Sequence, residues 1–194
     1  RKEDRRDFPI EAEIGWRDKN IKLPSGLSVH QVGLILSRLT LPYSTLNSFD
    51  ELPIPYRCVA TDIQKAEVVV LADGSLAEAM RATMAIPGVF TPVERDGRLL
   101  VDGGVLNNLP ADVVKQMGAD IVIAVDLHAT VQEREIEGVS QVLSRTMGVV
   151  IVDNTRRSLD LADIIIAPQM GELKSTSWKE TKRFFDLGYQ AAAL

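Results

Sequence analysis

The sequence predicts an α/β domain with a mostly parallel sheet, and three observations lead there. Through the second half of the chain, strand-like and helix-like runs alternate, which is how βαβ units read in sequence. Within that alternation, Ile121 to Val125 is a continuous apolar run, typical of a strand buried on both faces of a parallel sheet. The 194 residues are 45% hydrophobic and 25% charged, which suits one domain with a sizeable core.

Residues 1–25 read as loop and short extended pieces around Ile10, Ile14 and Ile21, with a turn at Pro24-Ser-Gly26. Ser28 is placed to cap a helix through about Thr40, because Val29, Val32, Ile35, Leu36 and Leu39 recur at helical spacing. A Pro- and Ser-rich connection runs to Pro55, and Tyr56–Ile63 and Glu67–Leu71 then form a hairpin across Gln64-Lys65-Ala66. Asp73-Gly74-Ser75 turns the chain into a helix from Leu76 to about Ala85, stopped by Pro87-Gly88. Phe90–Glu94 and Arg98–Val101 bracket Arg95-Asp96-Gly97, a strong hairpin turn.

Beyond Asp102-Gly103-Gly104, Pro110 suits the first turn of a helix that ends at Gly118. Asp120–Leu127 is the buried parallel strand, Gly138 to about Leu161 a long helix, and Asp163–Ala167 a second short buried strand. Ser177–Leu194 closes the pattern as an amphipathic helix. No repeat or linker divides the chain, so residues 1–194 read as part of one domain. It opens on Arg1 inside a mixed charged run, Arg1 to Asp7, and ends inside a helical pattern. It therefore reads as a piece of a longer protein.

Several function classes drop out on composition. A net charge of -5 argues against a general nucleic-acid binder. The longest apolar runs, such as Gly148–Val152, are far shorter than the roughly 20 residues a membrane-spanning helix needs. A single cysteine, Cys58, excludes an internal disulfide and a cysteine zinc site, and His30 and His128 lack ligand spacing. Neither the dinucleotide fingerprint G-x-G-x-x-G nor the P-loop is present.

The chemistry concentrates in Leu99-Leu-Val-Asp102-Gly103-Gly104-Val-Leu-Asn107-Asn108-Leu-Pro110. A carboxylate at the end of an apolar strand stands where open α/β sheets place reactive groups. Two following glycines let the backbone turn and let another group approach closely. Asn107 and Asn108 are candidates to orient the carboxylate by hydrogen bonds. The plain alternative is a turn aspartate bonding its own backbone, as expected at Asp73-Gly74 and Asp96-Gly97.

The longer string resembles the patatin-like phospholipase family. Its residues are Ala79-Met-Arg-Ala-Thr-Met-Ala-Ile-Pro87-Gly88-Val-Phe-Thr-Pro92, then Val101-Asp102-Gly103-Gly104, Asn108-Leu109-Pro110 and Met117-Gly118-Ala119-Asp120. That order matches a small-residue helix, a Pro-Gly-x-Phe-x-Pro segment, an Asp-Gly-Gly motif and an Asn-x-Pro run before Gly-Ala-Asp. Asp62, in Ala60-Thr61-Asp62, also stands where such sequences carry Thr-Asp.

The resemblance implies a three-layer α/β/α fold and a lipid acyl hydrolase using a Ser–Asp dyad, with Asp102 as the base. It implies a lipid or acyl-ester substrate, contact with a membrane surface and no metal or organic cofactor. Gly103, Gly104, Asn107 and Asn108 would position the base. Met84, Pro87 and Phe90, with Met80, Ile86 and Val89, are candidates to meet acyl chains, or to be ordinary core. The family's nucleophile motif G-x-S-x-G and its glycine-rich oxyanion loop are absent from these residues. Ser28 reads as a helix cap, and Gly138-Val139-Ser140 as a helix start.

The chain thus matches the C-terminal portion of a patatin-like domain whose N-terminal half supplies the serine. Alone it is expected to be inactive, with strand edges left unpaired. The alternative is a non-catalytic patatin-like domain used for binding or assembly. Leu161 to Gly171 resembles bacterial members of the family, some of them exported with an outer-membrane barrel, which implies an envelope or secreted location rather than a cytoplasmic one.

Overall fold

The computed structural model describes residues 15–17, 20–22, 30–127, 138–171, 173 and 178–193. The expected Ser28 cap, the Pro24–Gly26 turn, the Arg1–Asp7 run and His128 lie outside them. The chain divides into two compact units, Arg1–Leu106 and Asn107–Leu194.

The first unit begins with the short antiparallel pair β1 (Gly15–Arg17) and β2 (Asn20–Lys22), followed by helix α1 (His30–Thr40). Its centre is a four-stranded sheet in the order β4-β3-β6-β5, formed by β3 (Cys58–Asp62), β4 (Glu67–Leu71), β5 (Val93–Arg95) and β6 (Arg98–Asp102). Every pairing in it is antiparallel. The mostly parallel sheet expected from the sequence is therefore not what organises this unit. Both hairpins were legible locally, and a tight hairpin can join only antiparallel neighbours.

The β5–β6 turn has positive φ at both central residues, Asp96 at 51° and Gly97 at 71°, the backbone of a two-residue hairpin turn whose twist matches its strands. In the β3–β4 turn, the Asp62 carboxylate accepts the Gln64 N–H at 2.9 Å, so this aspartate bonds its own turn. All five residues of β3 are buried, including Thr61 and Asp62.

Helix α2 (Leu76–Thr83) lies on this sheet. The Ser75 hydroxyl caps it by accepting the Glu78 N–H at 3.3 Å, which satisfies a donor the first turn leaves unpaired. Its buried residues are Ala79 and Ala82; such small side chains let a helix axis come close to the strands. The core gathers Phe49, Cys58, Ala60, Leu71, the alanines 79, 82 and 85, Val93 and Leu100, with Tyr56 and Leu52 packed against it. The Phe49 and Tyr56 rings are tilted, with centroids 6.1 Å apart, a favourable aromatic geometry. Helix α1 packs against α2, yet Ile35 and Leu39, expected on its core face, are exposed.

A short helix α3 (Gly104–Asn107) follows β6 directly. Sequence reading missed it, because Gly103-Gly104 reads as a turn. In the second unit α4 (Ala111–Gln116) starts after Pro110, as expected, and Gly118 follows with φ +89°. Strand β7 (Ile123–Val125), helix α5 (Val139–Leu159) and strand β8 (Ile164–Ile166) form a βαβ unit with β7 and β8 parallel. Here the expected parallel pairing is present.

The expected burial of that strand on both faces is not. Val122, Ala124 and Asp126 are buried, while Ile121, Ile123, Val125 and Leu127 are between 51% and 63% exposed. Strand side chains alternate between faces, and among the described residues only one face of β7 is covered. Helix α6 (Thr181–Ala192) ends the chain, with exposed, stacked Phe185 and Tyr189 rings 6.4 Å apart.

Candidate active site at the end of β6

Asp102 is the last residue of β6 and pairs across the ladder with Ala60 of β3. Its backbone N–H donates to the Ala85 carbonyl at 3.0 Å, just beyond α2. Its carboxylate accepts the Gly104 N–H at 2.7 Å. Asp102 is half-buried, and that desolvation pushes its carboxyl above the ordinary carboxylate range, opposed in part by the Gly104 hydrogen bond. A strand-end carboxylate raised in this way is a stronger proton acceptor than a solvated one.

Gly103 has a steric reason for its identity. A Cβ built there would stand 2.2 Å from the Val59 carbonyl oxygen and 2.6 Å from its carbon, distances no side chain tolerates. The close approach expected at this glycine is therefore made by the β3 backbone. Gly104, next along, begins α3 and supplies the donor to Asp102.

Asn107 and Asn108 belong to the second unit. The Asn107 amide donates to Asp112 at 2.9 Å, and the Asn108 amide donates to the buried Thr155 at 3.0 Å. The Asn108 backbone N–H donates to the Asn154 side chain at 3.0 Å. Both asparagines thus tie the α4 entry, with Asn108 joining it to α5.

Met84, Pro87 and Phe90 are half-buried, while Ile86 and Val89 are exposed. Backbone bonds from Ile86 to Met84, and from Val89 and Phe90 to Ile86, wind this segment into a tight apolar turn. Because the Ala85 carbonyl holds the Asp102 N–H, Met84 and Ile86 flank the carboxylate's anchor in sequence and in space. A surface cavity of about 300 Å³ lies beside Arg95 and Asp73, and one of about 560 Å³ beside Arg81 and Pro92. Neither is lined by Asp102. Among the described residues no serine hydroxyl bonds Asp102, and no helix is long and apolar enough to cross a membrane.

Asp62, the second motif carboxylate, is fully buried; one oxygen takes the Gln64 N–H, and the other has no hydrogen-bond partner among the described residues. Thr83 was not singled out in the sequence, yet its hydroxyl donates to the Val59 carbonyl at 2.6 Å. Only the fold brings α2 to β3 there, so no local pattern could have flagged it.

Residues 33–115 match the family model described as patatin-like phospholipase. The chain is similar to an uncharacterized NTE family protein of Mycobacterium bovis, 47% identical over 83 residues, covering 43% of this chain and 23% of that protein. Patatin-like phospholipase domain-containing protein 7 of Mus musculus is 46% identical over 80 residues, covering 40% of this chain and 6% of that protein. Domain-containing protein 6 of Homo sapiens gives the same identity and coverage. The chain thus spans less than a quarter of the length of these relatives. The matched stretch runs from α1 into α4 and includes Asp102-Gly103-Gly104.

Proposed function

We propose that the protein carrying this chain is a lipid acyl hydrolase, cleaving carboxylic esters of phospholipid type with a Ser–Asp dyad in which Asp102 is the base. The observation that carries this reading is the half-buried carboxylate at the end of β6, raised by desolvation and held by the Gly104 N–H. In the mechanism, the serine hydroxyl gives its proton to Asp102 as its oxygen attacks the ester carbonyl carbon. Asp102 returns that proton to the departing alcohol. Water then attacks the acyl-enzyme, Asp102 taking its proton and returning it to the serine oxygen as the fatty acid leaves. No metal or organic cofactor enters these steps.

The nucleophile, in a G-x-S-x-G turn, and the oxyanion donors come from a preceding N-terminal half of the same domain. Two facts support that assignment: the short coverage of the relatives and the bare apolar row Ile121, Ile123, Val125 and Leu127, which a completed three-layer α/β/α sheet would cover. The present chain alone is then inactive. Met84, Pro87 and Phe90, beside exposed Ile86 and Val89, meet the acyl chain or the lipid surface.

The test is ester turnover by the whole protein with Asp102→Asn. The expected result is a fall of about 10²–10⁴-fold with the fold retained, the range for losing a positioned base. Retained turnover removes Asp102 from the mechanism. A parent protein with no ester hydrolysis points to the non-catalytic binding or assembly domain.

A further inference from the structure

We infer that Thr83 is a positioning residue for Asp102, acting through the Val59 carbonyl; the inference rests on the Ser–Asp reading above. The last residues of α2 and the turn beyond it reach both strands that frame the carboxylate. The Thr83 hydroxyl donates to the Val59 carbonyl of β3 at 2.6 Å. Two residues on, the Ala85 carbonyl accepts the Asp102 N–H of β6 at 3.0 Å. Between these two anchors lies the final rung of the β3–β6 ladder, Ala60 against Asp102.

The Val59 carbonyl is also the group on which Gly103 rests, with no room for even a methyl group between them. Its position therefore sets how far the backbone after Asp102 can settle toward β3. That setting in turn places the Gly104 N–H, the carboxylate's donor. One hydroxyl thus fixes the carbonyl, the carbonyl fixes the Gly103 backbone, and that backbone aims Asp102. A carboxylate that must meet a serine within hydrogen-bond reach is sensitive to small displacements of this kind.

Thr83→Val keeps the shape of the side chain and removes the donor. In the whole protein, with a soluble p-nitrophenyl acyl ester as substrate, it should lower kcat about tenfold or more and leave KM within about twofold. Thr83→Ser, which keeps the hydroxyl, should restore most of kcat. Should the valine variant fail to fold, Thr83→Ala replaces it and is read in the same way. Parental kcat in a folded Thr83→Val or Thr83→Ala protein, beside an inactive Asp102→Asn protein, overturns the positioning role alone. A serine variant as slow as the valine one also overturns it. Turnover retained by Asp102→Asn overturns the dyad, and with it any role of Thr83 through Asp102.

Discussion

The sheet of the first unit and the strand pair of the second treat the same kind of residue in opposite ways. In β3 and β6, Val59, Ala60, Leu100 and Val101 are no more than 4% exposed. In β7 and β8, Ile123, Val125, Ile164 and Ile165 are between 47% and 59% exposed, although the runs are just as apolar. The difference is one of neighbours. β3 has a strand on each side, and α2 lies on its sheet. Among the described residues β7 and β8 have only each other within their sheet. Burial is a property of layers, and an apolar strand acquires it only where a second layer is present.

The well-covered region also holds the carboxylate. Asp102→Asn in the whole protein should therefore give the largest effect of any change considered, the loss of ester turnover described above. Removing packing should separate the two regions next. Leu100→Ala, at a residue 1% exposed, should cost about 2–5 kcal/mol in urea unfolding, as buried leucine truncations do. Measured on this chain by itself, Ile123→Ala, at a residue 59% exposed, should cost under about 1 kcal/mol. Equal costs would mean that β7 is covered in the folded protein by something beyond the described residues.

Glycines sharpen the same contrast. Gly103→Ala must push a Cβ into the Val59 carbonyl and should destabilise by about 1–3 kcal/mol, as overpacking does. Gly148→Ala, inside α5 with open space around it, should stabilise by about 0.5–1 kcal/mol through helix propensity. Thermal melts of the two variants would show opposite signs.

The smallest expected effect depends on pH. Burial raises the folded carboxyl of Asp102 above its unfolded value, so the folded state binds its proton more tightly. Stability from this group is then full below the unfolded value and falls as pH rises through the folded one. Asp102→Asn removes that loss. Its melting temperature relative to the parent should be higher at pH 7 than at pH 3, and a pH-independent difference would contradict the raised carboxyl. The same raised carboxyl should place the acid limb of kcat above the ordinary aspartate value of about 3.9.

Much of the local structure was legible in sequence. Asp96-Gly97, Ser75 and Pro110 act through backbone dihedrals and unpaired N–H groups, forces that operate over a few residues, and the elements they predict are present. The candidate motif could be singled out because Asp102-Gly103-Gly104 is contiguous. The antiparallel pairing of β3 with β6 and the exposure of Ile121, Ile123 and Val125 on one face of β7 were not legible. Both depend on which elements meet, and periodicity does not encode that.

By itself the sequence determined the hairpins, the starts of α2 and α4, the strand-end carboxylate and the family resemblance, since each is written in neighbouring residues. Only the tertiary structure decided why Gly103 must be glycine, where Asn107 and Asn108 spend their hydrogen bonds, and that the Thr83 hydroxyl bonds the Val59 carbonyl. Each of those answers is a contact between groups distant along the chain. The physical reason is that steric exclusion and hydrogen bonding act over a few ångströms of space, whatever the separation in sequence.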